Sequence, residues 1–185
     1  MFNFNSVREN DKRQPTPRTA VASGSINMST SAIKVLAENA TQNAGILNVA
    51  RVAAVQGIKQ VGLIVPLYQP AVLQHVRVDF DVDIELAYVK ATVTVTSEVG
   101  KSITTEAITG VNVALMSIYD MMKEVDQSMM MTRIHLESES GGERGPFVFD
   151  DAYENIDFRL NKQKGRLKAR FEVSDDLFIY AKALL

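Results

Sequence analysis

The chain has 185 residues, of which 46% are apolar and 23% charged, and a formal net charge of −2; this is room for one globular domain with an appendage. It contains no cysteine and two histidines, His75 and His135, which excludes disulfides, thiolate metal sites and cysteine nucleophiles and leaves too few imidazoles for a histidine metal centre, so neither metal nor cofactor is expected. No apolar run approaches the ~20 residues of a membrane span, the N-terminus lacks the apolar core of a signal peptide, and the charge balance gives no footprint for nucleic acid. A cytoplasmic protein that binds neither membrane nor nucleic acid is expected, with any anionic ligand held by a local cluster.

Residues 1–17 are polar, hold two of the five prolines and read as an N-terminal arm. Ser29, Thr30 and Ser31 offer an N-cap for a short helix over Ala32 to Glu38, ended by Asn39. A second helix fits Ala44 to Lys59, because Ile46, Val49, Ala50, Ala53 and Ile58 follow helical spacing, and Gly62 to Pro70 reads as an apolar loop. Val76, Val78, Phe80, Val82 and Ile84 alternate with polar residues from His75 to Glu85, which describes a strand with one buried face. Val89, Ala91, Val93 and Val95 describe its neighbour, and the short gap between the two requires antiparallel pairing. Ile103, Ala107, Val111, Leu115, Ile118, Met122 and Val125 recur every three or four residues, so Ile103 to Val125 is a long amphipathic helix. Met130 to Leu136 returns as a strand after a Met129-Met130-Met131 run that reads as core filler. This order predicts an α+β fold, an antiparallel sheet packed against helices. The composition then changes, and residues 146–185 read as a C-terminal extension with a hairpin around Lys162-Gln163-Lys164-Gly165.

At ~100° per residue, Glu106, Gly110, Val113, Ser117 and Asp120 share one face of the long helix, with Lys123 following Asp120 at i+3. A carboxylate, a glycine permitting close approach and an Asp–Lys pair would line a polar cleft. The same pattern also describes a solvated face with one ordinary surface ion pair.

The run Ile118-Tyr119-Asp120-Met121-Met122-Lys123-Glu124-Val125-Asp126, preceded by Glu106 to Leu115, resembles the signature helix of the cyclic pyranopterin monophosphate synthases of molybdenum cofactor biosynthesis. Arg18-Thr19-Ala20 with Ile26 and Met28 resembles the early strand of that family, Val49 to Lys59 its Ala-Arg helix, Leu63 to Pro70 its loop usually written Leu-Ile-Pro-Leu-Cys-His-Pro, and Ser140-Gly141-Gly142 its closing glycine loop. The match runs from about Arg18 to Gly145, and defines residues 18–145 as the domain. The resemblance implies a ferredoxin-like α+β fold, assembly into dimers and a hexamer with the active site at a subunit interface, and a lyase that converts cyclised dihydro-GTP to cyclic pyranopterin monophosphate with release of pyrophosphate. Lys123 and Asp120 stand where the family keeps its catalytic lysine and aspartate, and Glu106 at one of its helix glutamates. Arg18, Arg51, Lys59, Tyr68, Gln69, Asn43, Gly141, Gly142 and Arg144 fall on positions implied to bind the purine-derived nucleotide.

This chain departs from the pattern at Asn43, which replaces a lysine, at Tyr68-Gln69, which replaces Cys-His, at Thr104, which replaces a glutamate, and at Glu143, which replaces a lysine. Asparagine and glutamine do not exchange protons near neutral pH. The expectation is therefore a synthase, alone or assembled with a complete family paralogue. The alternatives are a diverged member acting on another purine-derived or phosphorylated substrate, and a non-catalytic nucleotide-binding or structural subunit.

Overall fold

A computed structural model describes residues 17–40, 45–98, 101–141 and 145–150. Those up to Phe149 belong to one compact unit. The arm apart from Pro17, and the hairpin expected in the 146–185 extension, lie outside the described residues.

Among the described residues, five strands form one antiparallel sheet: β1 (Arg18–Asn27), β2 (His75–Asp83), β3 (Tyr88–Ser97), β4 (Met130–Ser140) and β5 (Phe147–Val148), in the order β2-β3-β1-β4-β5. The period-two pattern of β3 is realised residue by residue, with Val89, Ala91, Val93 and Val95 fully buried and the intervening Lys90, Thr92, Thr94 and Thr96 half-buried on the opposite face. β2 pairs antiparallel with β3, as the short connection requires, from His75 opposite Thr96 to Asp83 opposite Tyr88. Ile84, expected on the buried face, lies in the turn after β2 and is exposed. The Asp83 carboxylate closes that turn by accepting the Leu86 N–H at 2.8 Å.

The helices among the described residues are α1 (Thr30–Ala40), α2 (Ile46–Lys59), the single turn α3 (Val61–Ile64) and α4 (Thr104–Met122). α4 packs on β1, β3 and β4, and α2 on α4 and the edge strand β2. The stripe Ile103, Ala107, Val111, Leu115, Ile118 and Met122 is buried as its spacing predicts, whereas Val125 lies past the end of α4 and is exposed. In α2 the buried residues are Ala50, Ala54, Gly57 and Ile58. Val49, expected on that stripe, turns outward with Val52. The helix is rotated because its contact with α4 is made by glycines. A Cβ on Gly110 would meet Ile58 Cδ1 at 2.7 Å, and one on Gly57 would meet Val113 Cγ2 at 2.6 Å, so each glycine leaves the room that an aliphatic side chain of the facing helix occupies.

Of the Met run only Met129 is buried, and Met130 and Met131 are exposed at the start of β4. Gly62 to Pro70, expected as a loop, begins inside α3 and continues without regular structure to β2.

Candidate functional site

The register of the sheet sorts the expected site residues into two groups. β2 begins at His75, β3 ends at Ser97, β1 begins at Arg18 and β4 ends at Ser140, and all four lie at one end of the sheet through the pairs His75–Thr96, Arg18–Ser97 and Thr19–Ser140. α4 starts at the same end, six residues after Glu98. Its C-terminus therefore lies at the opposite end. Glu106 is in its first turn, and Asp120 and Lys123 are in and just beyond its last. At 1.5 Å per residue, Glu106 and Lys123 stand about 25 Å apart along one helix axis.

Glu106 is 1% exposed, which is unusual for a carboxylate. Its position in the first turn of α4 gives it the favourable end of the helix dipole. The Tyr68 hydroxyl donates a hydrogen bond to Oε1, while Oε2 is buried and takes no hydrogen bond from any described residue. Burial, the hydrogen bond to Glu106 and the charge of that carboxylate push the Tyr68 phenol up to about 12. Tyr68 is thus a neutral donor throughout the physiological range.

These two side chains line a cavity of about 670 Å³. Val55, Ile58, Leu63 and Leu73 furnish apolar wall, Lys59 is an exposed cation at the end of α2, and Gln74 and His75 enter from the start of β2. Apolar wall with a few convergent polar groups is the usual composition of a small-molecule site. Tyr68 reaches Glu106 from a segment 38 residues away in the chain, held by Pro66 and Pro70 on either side. The backbone that follows this segment is fixed to the end of β3 by the Ser97 hydroxyl, which donates to the Val72 carbonyl at 2.7 Å.

Arg18 lies at the same end of the sheet. Its guanidinium is 3.5 Å from Glu139, and Glu139 also accepts the Ser102 hydroxyl at 3.0 Å. Gly141 has φ +86°, and any side chain there would run into the Pro17 carbonyl, so a glycine is required beside Arg18. Arg51 is engaged differently. It donates to the Val78 carbonyl at 3.0 Å and to Asn48 Oδ1 at 2.6 Å, and its guanidinium lies over the Phe80 ring at 5.5 Å. These contacts tie α2 to the edge strand.

The other end of α4 is open. Lys123 Nζ is 2.7 Å from Asp120 Oδ1, with both side chains largely in solvent. The hydrogen bond and charge of Asp120 raise the Lys123 ammonium above its ordinary value. Close by, Asp126 accepts the Ser29 N–H at 2.7 Å, the Ser128 N–H at 2.8 Å and the Ser128 hydroxyl at 2.6 Å. Those donors, Ser128 foremost, lower its carboxyl to about 2. The loop carrying Lys123 is thereby anchored to the start of α1.

The profile of the MoaC family matches residues 8–142. The chain belongs to the MoaC family. It is 39% identical over 133 residues to the cyclic pyranopterin monophosphate synthase of Campylobacter jejuni strain 81-176, covering 72% of this chain and 85% of that protein. The synthase of Natranaerobius thermophilus is 36% identical over 137 residues, covering 74% and 86%, and that of Sulfurovum sp. strain NBC37-1 is 37% identical over 132 residues, covering 71% and 84%. The family match extends ten residues further toward the N-terminus than the motifs recognisable in the sequence, and it ends before the extension.

Of the family positions expected to form the site, the fold brings Lys59, Tyr68 and Glu106 to one cavity, with Arg18 and Gly141 at the same end of the sheet. Gln69 is exposed and is not among the residues lining that cavity. Asp120 and Lys123 are at the far end, and Asn43, Gly142 and Arg144 lie outside the described residues. Glu106 and Gly110 do not share a solvated face with Asp120, because the start of α4 is covered by the loop bearing Tyr68 and by α2. Gln74 and His75 line the cavity without a signal in the sequence beyond their place at the first residues of a strand.

Proposed function

We propose that the protein is a cytoplasmic cyclic pyranopterin monophosphate synthase of molybdenum cofactor biosynthesis, acting on cyclised dihydro-GTP, and that each of its sites is assembled from two copies of the chain. The observation that carries the reading is the cavity of Lys59, Tyr68 and Glu106 in a MoaC chain that retains the Asp120–Lys123 pair. One substrate molecule cannot be handled by Glu106 and Lys123 of the same protomer across the length of α4. A second copy that brings its Asp120 and Lys123 to the cavity completes a set with a buried carboxylate, a neutral phenol and cations for the phosphates.

Surface composition supports the assembly. Leu63 at the cavity and Leu67 in the following loop are each 86% exposed, with Val49, Val52, Ile64 and Val72 also exposed on α2, α3 and the loop. Met116, Val125, Met130 and Met131 are exposed around the other end of α4. Apolar side chains gathered in this way mark surfaces that become covered. In the proposed reaction Glu106 accepts or holds a proton at Oε2, Tyr68 keeps the carboxylate oriented through Oε1, Lys59 meets phosphate oxygens, and Lys123 with Asp120 transfers protons from the neighbouring copy.

Mixing subunits tests this directly. Glu106→Gln and Lys123→Ala variants are each expected to be inactive, while co-refolding them together should restore up to about a quarter of wild-type turnover, since about that fraction of sites combines an intact Glu106 from one variant with an intact Lys123 from the other. No recovery in a properly assembled mixture would place the whole site within one protomer.

A further inference from the structure

The contact that this chain builds between Tyr68 and Glu106 sets how many hydrogen bonds a ligand can make. A free carboxylate at the floor of a cavity presents two oxygens side by side, and can take two parallel N–H donors from the edge of a planar heterocycle, as the ring N–H and amino group of guanine supply. Here the Tyr68 hydroxyl donates to Oε1 from one side, and Tyr68 itself forms part of the cavity wall. Oε2 alone remains, buried and without a donor among the described residues. An unpartnered buried acceptor is costly, and this one belongs to a side chain that lines an apolar cavity large enough for a bicyclic ring.

We propose that Tyr68 is a specificity-determining residue, and that the cavity binds a planar nitrogen heterocycle through one ring N–H donated to Glu106 Oε2, without selecting for an adjacent amino group. The ligand class is a purine-type nucleotide whose phosphates extend toward Lys59, the exposed cation at the cavity wall. This rests on the purine-derived reading of the cavity above and refines it. With the phenol in place, a two-donor edge gains nothing over a one-donor edge. With the phenol removed, both carboxylate oxygens become free and the amino group acquires a partner.

The test is equilibrium binding of inosine 5′-diphosphate and guanosine 5′-diphosphate, which differ only in the 2-amino group, to the full-length wild-type protein and to Tyr68→Phe and Glu106→Gln. Wild type should bind the two within about threefold of each other, since discrimination needs a site group that pairs with the differing substituent. Tyr68→Phe should prefer the guanosine ligand by about tenfold, the usual gain of a paired contact to a base edge. In Glu106→Gln the Tyr68 hydroxyl holds the amide oxygen and turns the NH₂ toward the ring N–H, so both ligands should weaken by at least about tenfold. A wild-type preference for the guanosine ligand of tenfold or more, an unchanged ratio in Tyr68→Phe, or undiminished binding in Glu106→Gln would each overturn the inference. Failure of wild type to bind either diphosphate would overturn it too. Turnover of cyclised dihydro-GTP, measured on the same preparation, decides the synthase reading separately.

Discussion

The two ends of α4 carry the same kind of pair, a carboxylate with a hydrogen-bond donor, in opposite environments. At the first turn Glu106 is buried under Tyr68 and shapes a cavity. At the last turn Asp120 and Lys123 pair in solvent, where such a bridge contributes little to stability. Burial makes the first pair part of the fold as well as of the site. Exposure leaves the second pair accessible, as the proposed two-copy site requires.

The largest expected effect concerns turnover. With Asn43 and Gln69 in place of a lysine and a histidine, the protein should convert cyclised dihydro-GTP about 10³-fold more slowly than a synthase holding the full family set, and Asn43→Lys with Gln69→His should recover part of the rate. A rate equal to that of a complete synthase would show that the remaining groups suffice. Next, Lys123→Ala should lower turnover at least about 10²-fold. Urea denaturation should give a midpoint indistinguishable from that of wild type, as for exposed positions generally. A large loss of stability would mean that the exposed end is structural after all and would erase the contrast.

At the buried end packing should respond instead. Gly110→Val would push a side chain into Ile58 and Val93 and is expected to destabilise by about 1–3 kcal/mol. Alkaline titration sharpens the same point. The Tyr68 phenol is raised in the folded state, so the stability it contributes is complete below about pH 10 and should be lost as pH rises through 10 toward 12. Tyr68→Phe should lack that decline in denaturation curves recorded across the range. The smallest effect lies near the exposed end, where the lowered Asp126 carboxyl contributes stability above its ordinary range that disappears as pH falls from about 4 toward 2. Asp126→Asn should be less stable than wild type at pH 7, with the gap closing near pH 2.

Much of this architecture was legible in the sequence because it rests on period. Alternation from His75 to Val95 specified two strands and their pairing, and the recurrence from Ile103 to Met122 specified α4, since each pattern has one geometry that buries its apolar side. The helical stripe of α2 was read one step off, at Val49 and Ala53 rather than Ala54 and Gly57. Hydrophobicity alone does not reveal that Gly57 and Gly110 will receive Val113 and Ile58 of the facing helix. For the candidate site, the motif suggests residues but not their grouping. Glu106 and Asp120 share a face at helical spacing, and only the covering of the first turn by Tyr68 and α2 separates a buried carboxylate from an exposed one.

By itself the sequence determined the paired strands β2 and β3, the strand β4, the helices α1, α2 and α4, the α+β class, the family and a list of candidate site residues, because these depend on local periodicity and on motifs read in order. Tertiary structure alone decided that Tyr68, 38 residues away, donates to Glu106, that one carboxylate oxygen is left without a donor among the described residues, and that Lys123 stands a full helix length from the cavity. Those facts arise from how the loop before β2 folds back over the start of α4, a contact between distant segments that no local pattern encodes.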